Sequence, residues 1–426
     1  MRFHVQNFGC RASQADGAAL ESLLSGDGHA PATSNREAEL VILNTCTVTS
    51  NADHDVRQAI RRVRRENPAA RILVTGCYAQ RAPGEIAALP GVTWVVGNSH
   101  KASIASIVAG ADYHGQVHAG PIAAEGRFLT AAVDDAASDR TRPNLKIQDG
   151  CNNVCTFCII PAVRGRSRSA PPEEVVSHVR SLAAKYREVV LSGINLGRWG
   201  RELGLRLHQL IARLLEETAV ERLRLSSVEP MDFCDELLGL MANSPRIAKH
   251  VHAPLQSGCD ATLKRMKRRY RVRHYAGRVL KAREWMPDAA IGADVMVGFP
   301  GETDAEFEES RRFIESMPFT YLHVFTYSER PGTPAAGYPG EVPAAVRRER
   351  NEILRRIAAA KNLAFREGFL GRTLSAVTLD EGALSDNYLK LTLARPREAN
   401  RIVNVEIGGV TPQGLAERGA LPVLGG

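Results

Sequence analysis

The sequence predicts an α/β protein in which two α/β units are followed by a small all-β module. Its 426 residues, 44% of them hydrophobic, exceed what one compact domain usually holds and suffice for two or three cores. Apolar strand-like runs alternate with helix-like stretches through two long parts of the chain, which a Gly- and Ala-rich linker at residues 111–140 separates. From about Leu370 onward, short runs of alternating hydrophobicity between turn residues replace this pattern.

The first α/β unit is predicted at residues 1–112. Its strand-like runs are Arg2–Val5, Leu40–Asn44, Ile72–Thr75 and Trp94–Gly97, and its longest helix-like stretch is Asp53–Asn67. Three of these runs are followed by a cysteine, namely Cys10, Cys46 and Cys77. Because parallel α/β sheets place functional residues at the carboxyl ends of strands, we expect these cysteines to meet at one edge of the sheet.

The second unit, residues 137–367, contains six strand candidates in succession with helical segments between them. These candidates are Leu145–Gln148, Glu188–Leu191, Arg222–Ser226, His250–Leu255, Ile291–Val297 and Leu322–Tyr327. Six consecutive β/α units predict a parallel, partly closed barrel. A basic amphipathic helix at 344–365 follows, and residues 370–426 predict a small barrel of five short strands.

Composition narrows the class of partner. The chain carries 55 basic and 47 acidic residues, a net charge of +8, which suits a polyanion such as nucleic acid. No apolar run is long enough to span a bilayer. The first ten residues, MRFHVQNFGC, lack the pattern of a signal peptide, so we expect a soluble cytoplasmic protein with no membrane partner.

The sharpest motif is CNNVCTFC, which places Cys151, Cys155 and Cys158 directly after the first strand of the second unit. Three thiolates on one loop supply three ligands to a 4Fe–4S cluster and leave one iron open to chelate a substrate. The alternatives are a zinc knuckle without its fourth ligand, or ordinary buried cysteines, although zinc sites favour paired C-x2-C units. Cys234 and Cys259 belong to neither trio of cysteines, and we expect them to be buried or incidental.

Several longer motifs resemble known families. The C-x3-C-x2-C loop is similar to that of the radical S-adenosylmethionine (SAM) superfamily. Further motifs resemble those of the methylthiotransferase family. They are VILNTCTVTSNAD, ILVTGCYAQRAPGEIAALPGVTWVVGN, KIQDGCNNVCTFCIIPAVRGRSRS, RLSSVEP, HAPLQSG, LKRMKRRY, IGADVMVGFPGET and LHVFTYSERPGTPA. The resemblance covers nearly the whole chain and implies three domains. They are an N-terminal methylthiotransferase domain (1–112), a radical SAM core (137–367) and a C-terminal TRAM-like RNA-binding barrel (370–426).

The resemblance also implies the cofactors, two 4Fe–4S clusters and SAM. Cys151, Cys155 and Cys158 would hold the cluster that binds SAM, and Cys10, Cys46 and Cys77 an auxiliary cluster. Ser13 stands where the family usually has asparagine, which puts any role of that asparagine in doubt. The cofactors would carry the radical chemistry, so we expect no side chain to act as a general base.

SAM should be held by groups at the mouth of the barrel, near the carboxyl ends of the strands. The candidates are Phe157, Asn195, Ser226, Glu229, Gln256 and Asp294. RNA contact is expected from a basic stretch interleaved with tyrosine, Lys264, Arg265, Lys267, Arg268 and Arg269. The expected partners are the anticodon stem–loop of tRNA, an electron donor and a sulfur source, the last two of unknown identity.

The family has branches with different substrates. NTCTVT, TGCYAQ, VVGN and LKIQDGC most resemble the branch that converts N6-threonylcarbamoyladenosine in tRNA to its 2-methylthio derivative. The alternatives are the branch that modifies isopentenyladenosine in tRNA and the branch that modifies an aspartate of a ribosomal protein. A different class, a non-catalytic iron–sulfur RNA-binding protein, also stays open, although binding alone needs no open iron.

Overall fold

The chain begins with a six-stranded, fully parallel sheet in the order β2-β1-β3-β4-β5-β6. The structure is a computed structural model that describes residues 1–110, 115–122, 128–129 and 141–420. The strands are β1 (Arg2–Asn7), β2 (Ala30–Pro31), β3 (Leu40–Thr45), β4 (Arg71–Gly76), β5 (Val92–Gly97) and β6 (Gln116–His118). The helices are α1 (Arg11–Gly26), α2 (Ser50–Glu66), α3 (Cys77–Arg81), α4 (Pro83–Ala87) and α5 (Ile104–Val108).

This sheet is covered on both faces, which is why its central strand β3 is buried at every position. Alternate side chains of β3 enter two different cores, with Val41 against α2 and Ile42 against α1. Helix α2 turns an apolar face to the sheet, and its first turn is capped by the Thr49 hydroxyl, which accepts from the Ala52 N–H.

The strands predicted in this unit are all present, with ends that differ by up to two residues. In the described part of the predicted linker at 111–140, the sequence did not indicate strand β6, which pairs in parallel with β5. Three residues are too few to show a periodic pattern. Residues 111–114, 123–127 and 130–140 of that linker lie outside the described residues.

The second unit is a partial barrel of six parallel strands in chain order. They are β7 (Asn144–Asp149), β9 (Glu188–Gly193), β10 (Arg222–Leu225), β11 (His250–His252), β12 (Ala290–Val297) and β13 (Tyr321–Thr326), with a short strand β8 (Arg168–Ser169) antiparallel to β7. The ladders form two sheets, and main-chain bonds such as Val228 N–H to the His252 carbonyl join β10 to β11. Among the described residues no ladder closes β13 onto β7, so the barrel is open on that side.

Helices surround the outside of this barrel. They are α6 (Ile160–Arg164), α7 (Pro172–Lys185), α8 (Leu207–Glu217), α9 (Asp235–Asn243), α10 (Asp260–Arg265), α11 (Val272–Trp285), α12 (Asp304–Ser316) and α13 (Ala344–Glu367). Leu145, Val189 and Leu223 point outward into the core beneath them. Side chains alternate along a strand, so Lys146, Glu188 and the polar residues at equivalent positions point inward. The barrel interior is therefore polar.

The C-terminal module is a closed five-stranded barrel in the order β14-β15-β16-β18-β17, as the sequence predicts. Its strands are β14 (Thr373–Thr378), β15 (Ala383–Ser385), β16 (Lys390–Thr392), β17 (Ile402–Thr411) and β18 (Gly414–Glu417). It packs on the large barrel, where Arg224 donates to the carbonyls of Ser385 and Asp386 at 3.0 Å each. Within the described ranges, no helix is both long and apolar enough to cross a bilayer.

Candidate iron–sulfur and substrate sites

Three cysteines meet at the carboxyl edge of the N-terminal sheet. Cys10 is the N-cap of α1, Cys46 follows β3 by one residue, and Cys77 opens α3 directly after β4. The strands β1, β3 and β4 are neighbours in the sheet, so the structure brings the three side chains together, as the sequence predicts. Cys46 and Cys77 are buried, whereas Cys10 is exposed.

Close backbone approach shapes this edge. A Cβ atom on Gly9 would lie 2.4 Å from the Cβ of Cys46, and Gly9 has a φ of +94°, so only glycine fits before Cys10. Burial, followed by the neighbouring Cys77 and Cys10 thiols, raises the pKa of Cys46 to about 12. Three soft thiol donors on one edge form a donor set suited to an iron–sulfur cluster.

The second trio of cysteines lies on the loop after β7. The loop is fixed at Thr156, whose N–H donates to the Met266 carbonyl at 3.1 Å and whose hydroxyl donates to the Arg265 carbonyl at 3.0 Å. Burial raises the pKa of Cys158 to about 12, and the neighbouring Cys155 and Cys151 thiols add to this shift. These three thiols on one loop suit a cluster with one open iron.

Arg268 contacts this second trio directly. Its Nη1 is 3.3 Å from the Sγ of Cys155, its Nη2 donates to Glu229, and its Nε is 3.2 Å from the Tyr270 hydroxyl. The side chain is only 5% exposed. Burial raises the pKa of Cys155, and the guanidinium of Arg268 opposes that rise.

The other predicted RNA-contacting residues divide into two groups. Arg265 is paired with Glu306 at 2.7 Å, so its charge is already satisfied within the protein. Lys264, Lys267 and Arg269 are exposed, and Arg269 donates to the Asn152 carbonyl at 3.1 Å. The sequence predicted RNA contact from all five residues, but Arg265 is turned to Glu306 and Arg268 to the cysteine loop, while Lys264, Lys267 and Arg269 face solvent.

The predicted SAM contacts surround the cysteine loop at the ends of the strands. The Nδ2 of Asn195 is 3.5 Å from the Sγ of Cys151, and Phe157 packs edge-on against Phe299 at 6.4 Å between centroids. Within the described part of the chain, three buried oxygens here have no hydrogen-bond partner: Ser192 Oγ, Asn195 Oδ1 and Ser226 Oγ. Buried polar atoms without partners are costly, so this region fits a polar ligand such as SAM.

Gln256 lies in the loop after β11, and Asp294 lies within the neighbouring strand β12. Gln256 has a φ of 67° and its N–H donates to the Asp294 carbonyl at 2.8 Å. The Asp294 carboxylate is 3.1 Å from His323 Nδ1 and 3.3 Å from His252 Nε2. Burial acts to raise the pKa of Asp294, but the hydrogen bonds to His252 and His323 hold it below its usual range.

The pair His252 and His323 was not predicted from the sequence, and neither was Arg11 at the open side of the barrel. The guanidinium of Arg11 is 3.3 Å from the hydroxyl of Tyr388, and the carbonyl of Arg11 accepts from Asn144 at 2.7 Å. The alternation in the segments HVH at 250–252 and YLH at 321–323 indicates inward-facing histidines. No sequence signal places Arg11 beside a tyrosine 377 positions away.

The two remaining cysteines lie apart from both trios. Cys234 is 3.5 Å from the Nδ1 of His208, and Cys259 is 3.1 Å from a carboxylate oxygen of Glu309. Cys259 is buried and Cys234 is half-buried, and the expectation that they are buried or incidental stays a prediction for Cys234.

Two family profiles match the chain, the uncharacterized protein family UPF0004 at residues 2–97 and the radical SAM superfamily at residues 145–314. Threonylcarbamoyladenosine tRNA methylthiotransferase MtaB of Bacillus subtilis is 38% identical over 95% of this chain and 93% of its own length. MtaB of Aquifex aeolicus is 36% identical over 96% of this chain and 100% of its own length. The tRNA-2-methylthio-N(6)-dimethylallyladenosine synthase of Thermobifida fusca is 34% identical over 96% of this chain and 84% of its own length.

Among solved structures, the radical SAM methyltransferase TsrM from Kitasatospora setae aligns with a TM-score of 0.56 at 14% identity. The alignment covers 79% of this chain and 76% of TsrM. At that level of identity the likeness concerns the fold alone.

Proposed function

Since this chain belongs to the radical SAM methylthiotransferases that include the threonylcarbamoyladenosine tRNA methylthiotransferases, we propose that it converts N6-threonylcarbamoyladenosine beside the tRNA anticodon to its 2-methylthio derivative. The observation that carries the proposal is the near full-length match to relatives of that name, with the three-cysteine loop after the first barrel strand. We place the domain limits at 1–112, 137–367 and 370–426 and expect the reaction to occur in the cytoplasm, with an electron donor and a sulfur source of unknown identity.

Cys151, Cys155 and Cys158 would hold the cluster to which SAM binds. When bound, a 4Fe–4S cluster with SAM supplies the one-electron chemistry that can break an unactivated C–H bond. The protein's part is to position these groups. Arg268 and Asn195 would donate to the ligating sulfurs of Cys155 and Cys151, and the partnerless oxygens of Asn195 and Ser226 would contact SAM. The further proposed contacts are Glu229, Gln256, Phe157 and Asp294.

Cys10, Cys46 and Cys77 would hold an auxiliary cluster for the sulfur. Their convergence at one sheet edge, with two of them buried, supports this assignment. The auxiliary site lies beside the open side of the barrel, because Arg11, the residue after Cys10, contacts the inward-facing Asn144 of β7. A sulfur source and the substrate would therefore meet at that opening.

The polarity of the opening supports a threonylcarbamoyl rather than an isopentenyl group. The walls contributed by Arg11, His323, Tyr321 and Tyr388 carry hydrogen-bonding groups and a positive charge. In the described chain, Arg11 forms no ion pair with a carboxylate, so its charge is free to pair with the carboxylate of the threonyl group. An isopentenyl group would instead favour an apolar wall.

We propose that the anticodon stem–loop lies across the exposed Lys264, Lys267 and Arg269 and the C-terminal barrel, which we take to be a TRAM-like domain. Arg265 and Arg268 are turned toward the protein and would support this surface from beneath. A positive surface next to a barrel opening suits an unstacked loop nucleotide.

The proposed function is tested by mass spectrometry of nucleosides in tRNA from a strain without the gene. We expect the methylthio group to be missing from threonylcarbamoyladenosine, with methylthio-isopentenyladenosine unchanged. Loss of the isopentenyl derivative instead would assign the enzyme to the other tRNA branch, to which the Thermobifida relative belongs by name. Unchanged tRNA together with a lost ribosomal-protein modification would contradict a tRNA substrate, and no change in either would favour a non-catalytic role.

A further inference from the structure

Five charged side chains form one buried cluster at the junction of the first two domains. Asp16 and Lys101 come from the N-terminal sheet domain, and Lys146, Asp149 and Arg164 come from the barrel. Each side chain is at most 8% exposed. The guanidinium of Arg164 lies between the two carboxylates, 2.9 Å from Asp16 and 3.1 Å from Asp149.

The cations of this cluster outnumber the carboxylates. Lys101 is 3.0 Å from Asp16, while Lys146 donates to Asp16 and is 3.0 Å from Asp149. Among the described residues, three buried cations therefore share two carboxylates. Arg164 contacts both carboxylates, so its guanidinium is held in one orientation at the junction.

The remaining donor of Arg164 points to the cysteines of the N-terminal domain. Its Nε is 3.3 Å from the Sγ of Cys77, a residue that is 2% exposed. Its Nη2 is also 3.4 Å from the hydroxyl of Ser13, which in turn lies 3.7 Å from the Sγ of Cys10. Arg164 therefore places an N–H and a fixed positive charge beside the sulfur of Cys77, a proposed ligand of the auxiliary cluster.

We propose that Arg164 is a positioning residue for the auxiliary cluster, and that its N–H and fixed charge raise the reduction potential of that cluster. This inference rests on the proposed function, which supplies the auxiliary cluster. Hydrogen bonds and positive charge at a ligand sulfur stabilise the more negative, reduced form. Arg164 lies on α6, six positions after Cys158, so the segment that holds one cluster also supplies a charge to the other.

The test uses two full-length backgrounds, each of which keeps one trio of cysteines. The C151A/C155A/C158A protein retains the auxiliary site, and the C10A/C46A/C77A protein retains the SAM-binding site. R164Q is introduced into both, with R166Q as a matched control because Arg166 is exposed and lies two positions away. After anaerobic reconstitution, iron is counted and the midpoint potential is measured by titration followed by electron paramagnetic resonance.

We expect R164Q to shift the auxiliary potential to more negative values and to leave the potential of the other cluster unchanged, while R166Q shifts neither. An auxiliary potential unchanged by R164Q, with its iron retained, would overturn the inference. Selective loss of auxiliary iron in R164Q would support it, since the other background then shows that the chain still folds.

If R164Q loses iron in both backgrounds, the same measurement of the auxiliary potential is made with R164K. Lysine keeps a positive charge but cannot reproduce the fork of hydrogen bonds, so we expect a negative shift of the auxiliary potential, and an unchanged value would overturn the inference. Failure of the parent C151A/C155A/C158A protein to hold any cluster would instead contradict the auxiliary cluster of the proposed function, and it would be seen before Arg164 is changed.

Discussion

Tyr388 of the C-terminal barrel stacks on His250 of the central barrel, with ring centroids 4.2 Å apart and planes inclined by 10°. The same tyrosine lies 5.5 Å above the guanidinium of Arg224, and its hydroxyl contacts Arg11. Residues from all three parts of the chain therefore meet at one side chain. The proposed RNA-binding module is fixed against the base of the barrel and is not merely tethered to it.

Y388A should destabilise the protein, because it removes an aromatic stack and a cation–π contact. We expect a loss of about 1 to 3 kcal/mol in the free energy of unfolding, measured as a lower midpoint of thermal unfolding. Y388F keeps the ring and loses only the hydroxyl contact with Arg11, so it should unfold close to the wild-type midpoint. Equal losses in both variants would show that the stack does not fix the C-terminal barrel.

The two trios of cysteines should have separate roles. Anaerobically reconstituted protein should hold about eight iron atoms, and C151A/C155A/C158A about half of them. C151A should abolish reductive cleavage of SAM, whereas C46A or C77A should leave cleavage measurable and stop methylthiolation. Zinc as the only metal, or equal loss of cleavage in all three single variants, would contradict this division.

R268Q should impair the SAM-binding site and leave the affinity for RNA unchanged. It removes the donor to Cys155 and leaves Glu229 without its cation. A second-sphere hydrogen bond to a metal ligand is worth about 10- to 100-fold in activity or metal affinity, so RNA-free SAM cleavage should fall by that factor. R271Q, an exposed arginine three positions away, is the control and should cleave SAM at the wild-type rate. An unaffected R268Q enzyme would show that the contact is only structural.

D16N tests the buried charge cluster at the domain junction. Removing one member of a buried ion network costs about 3 to 5 kcal/mol at neutral pH, because the remaining charges stay buried. Burial acts to raise the pKa of Asp16, but Lys101, Lys146 and Arg164 hold it below its usual range.

Since the folded-state pKa of Asp16 is depressed, its stabilisation is fully present above the unfolded-state value near 3.9 and is lost as the pH falls below it. The gap in thermal midpoint between the iron-free wild type and D16N should therefore be widest at pH 7 and should narrow as the pH falls toward 3. A gap that stays constant over this range would show that the charge of Asp16 is not what stabilises the junction.

The convergence of Cys10, Cys46 and Cys77 was predictable because each follows a strand-like run, and the carboxyl ends of parallel strands share an edge. Strand β6 was not predictable, because its three residues show no period and its pairing with β5 is a tertiary contact. Arg164 was not predictable either, because its proposed role depends on a contact with Cys77, which lies 87 positions earlier. Periodicity shows which way a side chain faces, but not which residues it contacts.

The contrast between Lys264 and Arg268 has the same origin. Both belong to one basic stretch, yet the first is exposed and the second contacts Cys155 in the loop after β7. The sequence correctly indicated a concentration of charge. The turn after α10, where Lys267 adopts a φ of 53°, determines which charged side chain faces solvent and which faces the cysteine loop.

Arg11 should set the choice of substrate nucleoside. If its guanidinium pairs with the threonyl carboxylate, R11Q should lower conversion of an anticodon stem–loop carrying threonylcarbamoyladenosine by about 10- to 100-fold, the value of one charged hydrogen-bonded contact. RNA-free SAM cleavage should be unchanged, and R11K should recover part of the loss because it keeps the charge. The measurement is mass spectrometry of the product under single turnover.

A blocked substrate separates this pairing from general damage to the site. A stem–loop whose threonyl carboxylate is a methyl ester should be converted poorly by the wild type, and R11Q should convert it no more slowly, because the interacting charge is already gone. If R11Q lowers conversion of the ester as much as that of the free acid, Arg11 acts on something other than the carboxylate. The charge that selects the substrate would then come from His323 or from the RNA surface, and the same pair of substrates applied to H323Q would identify it.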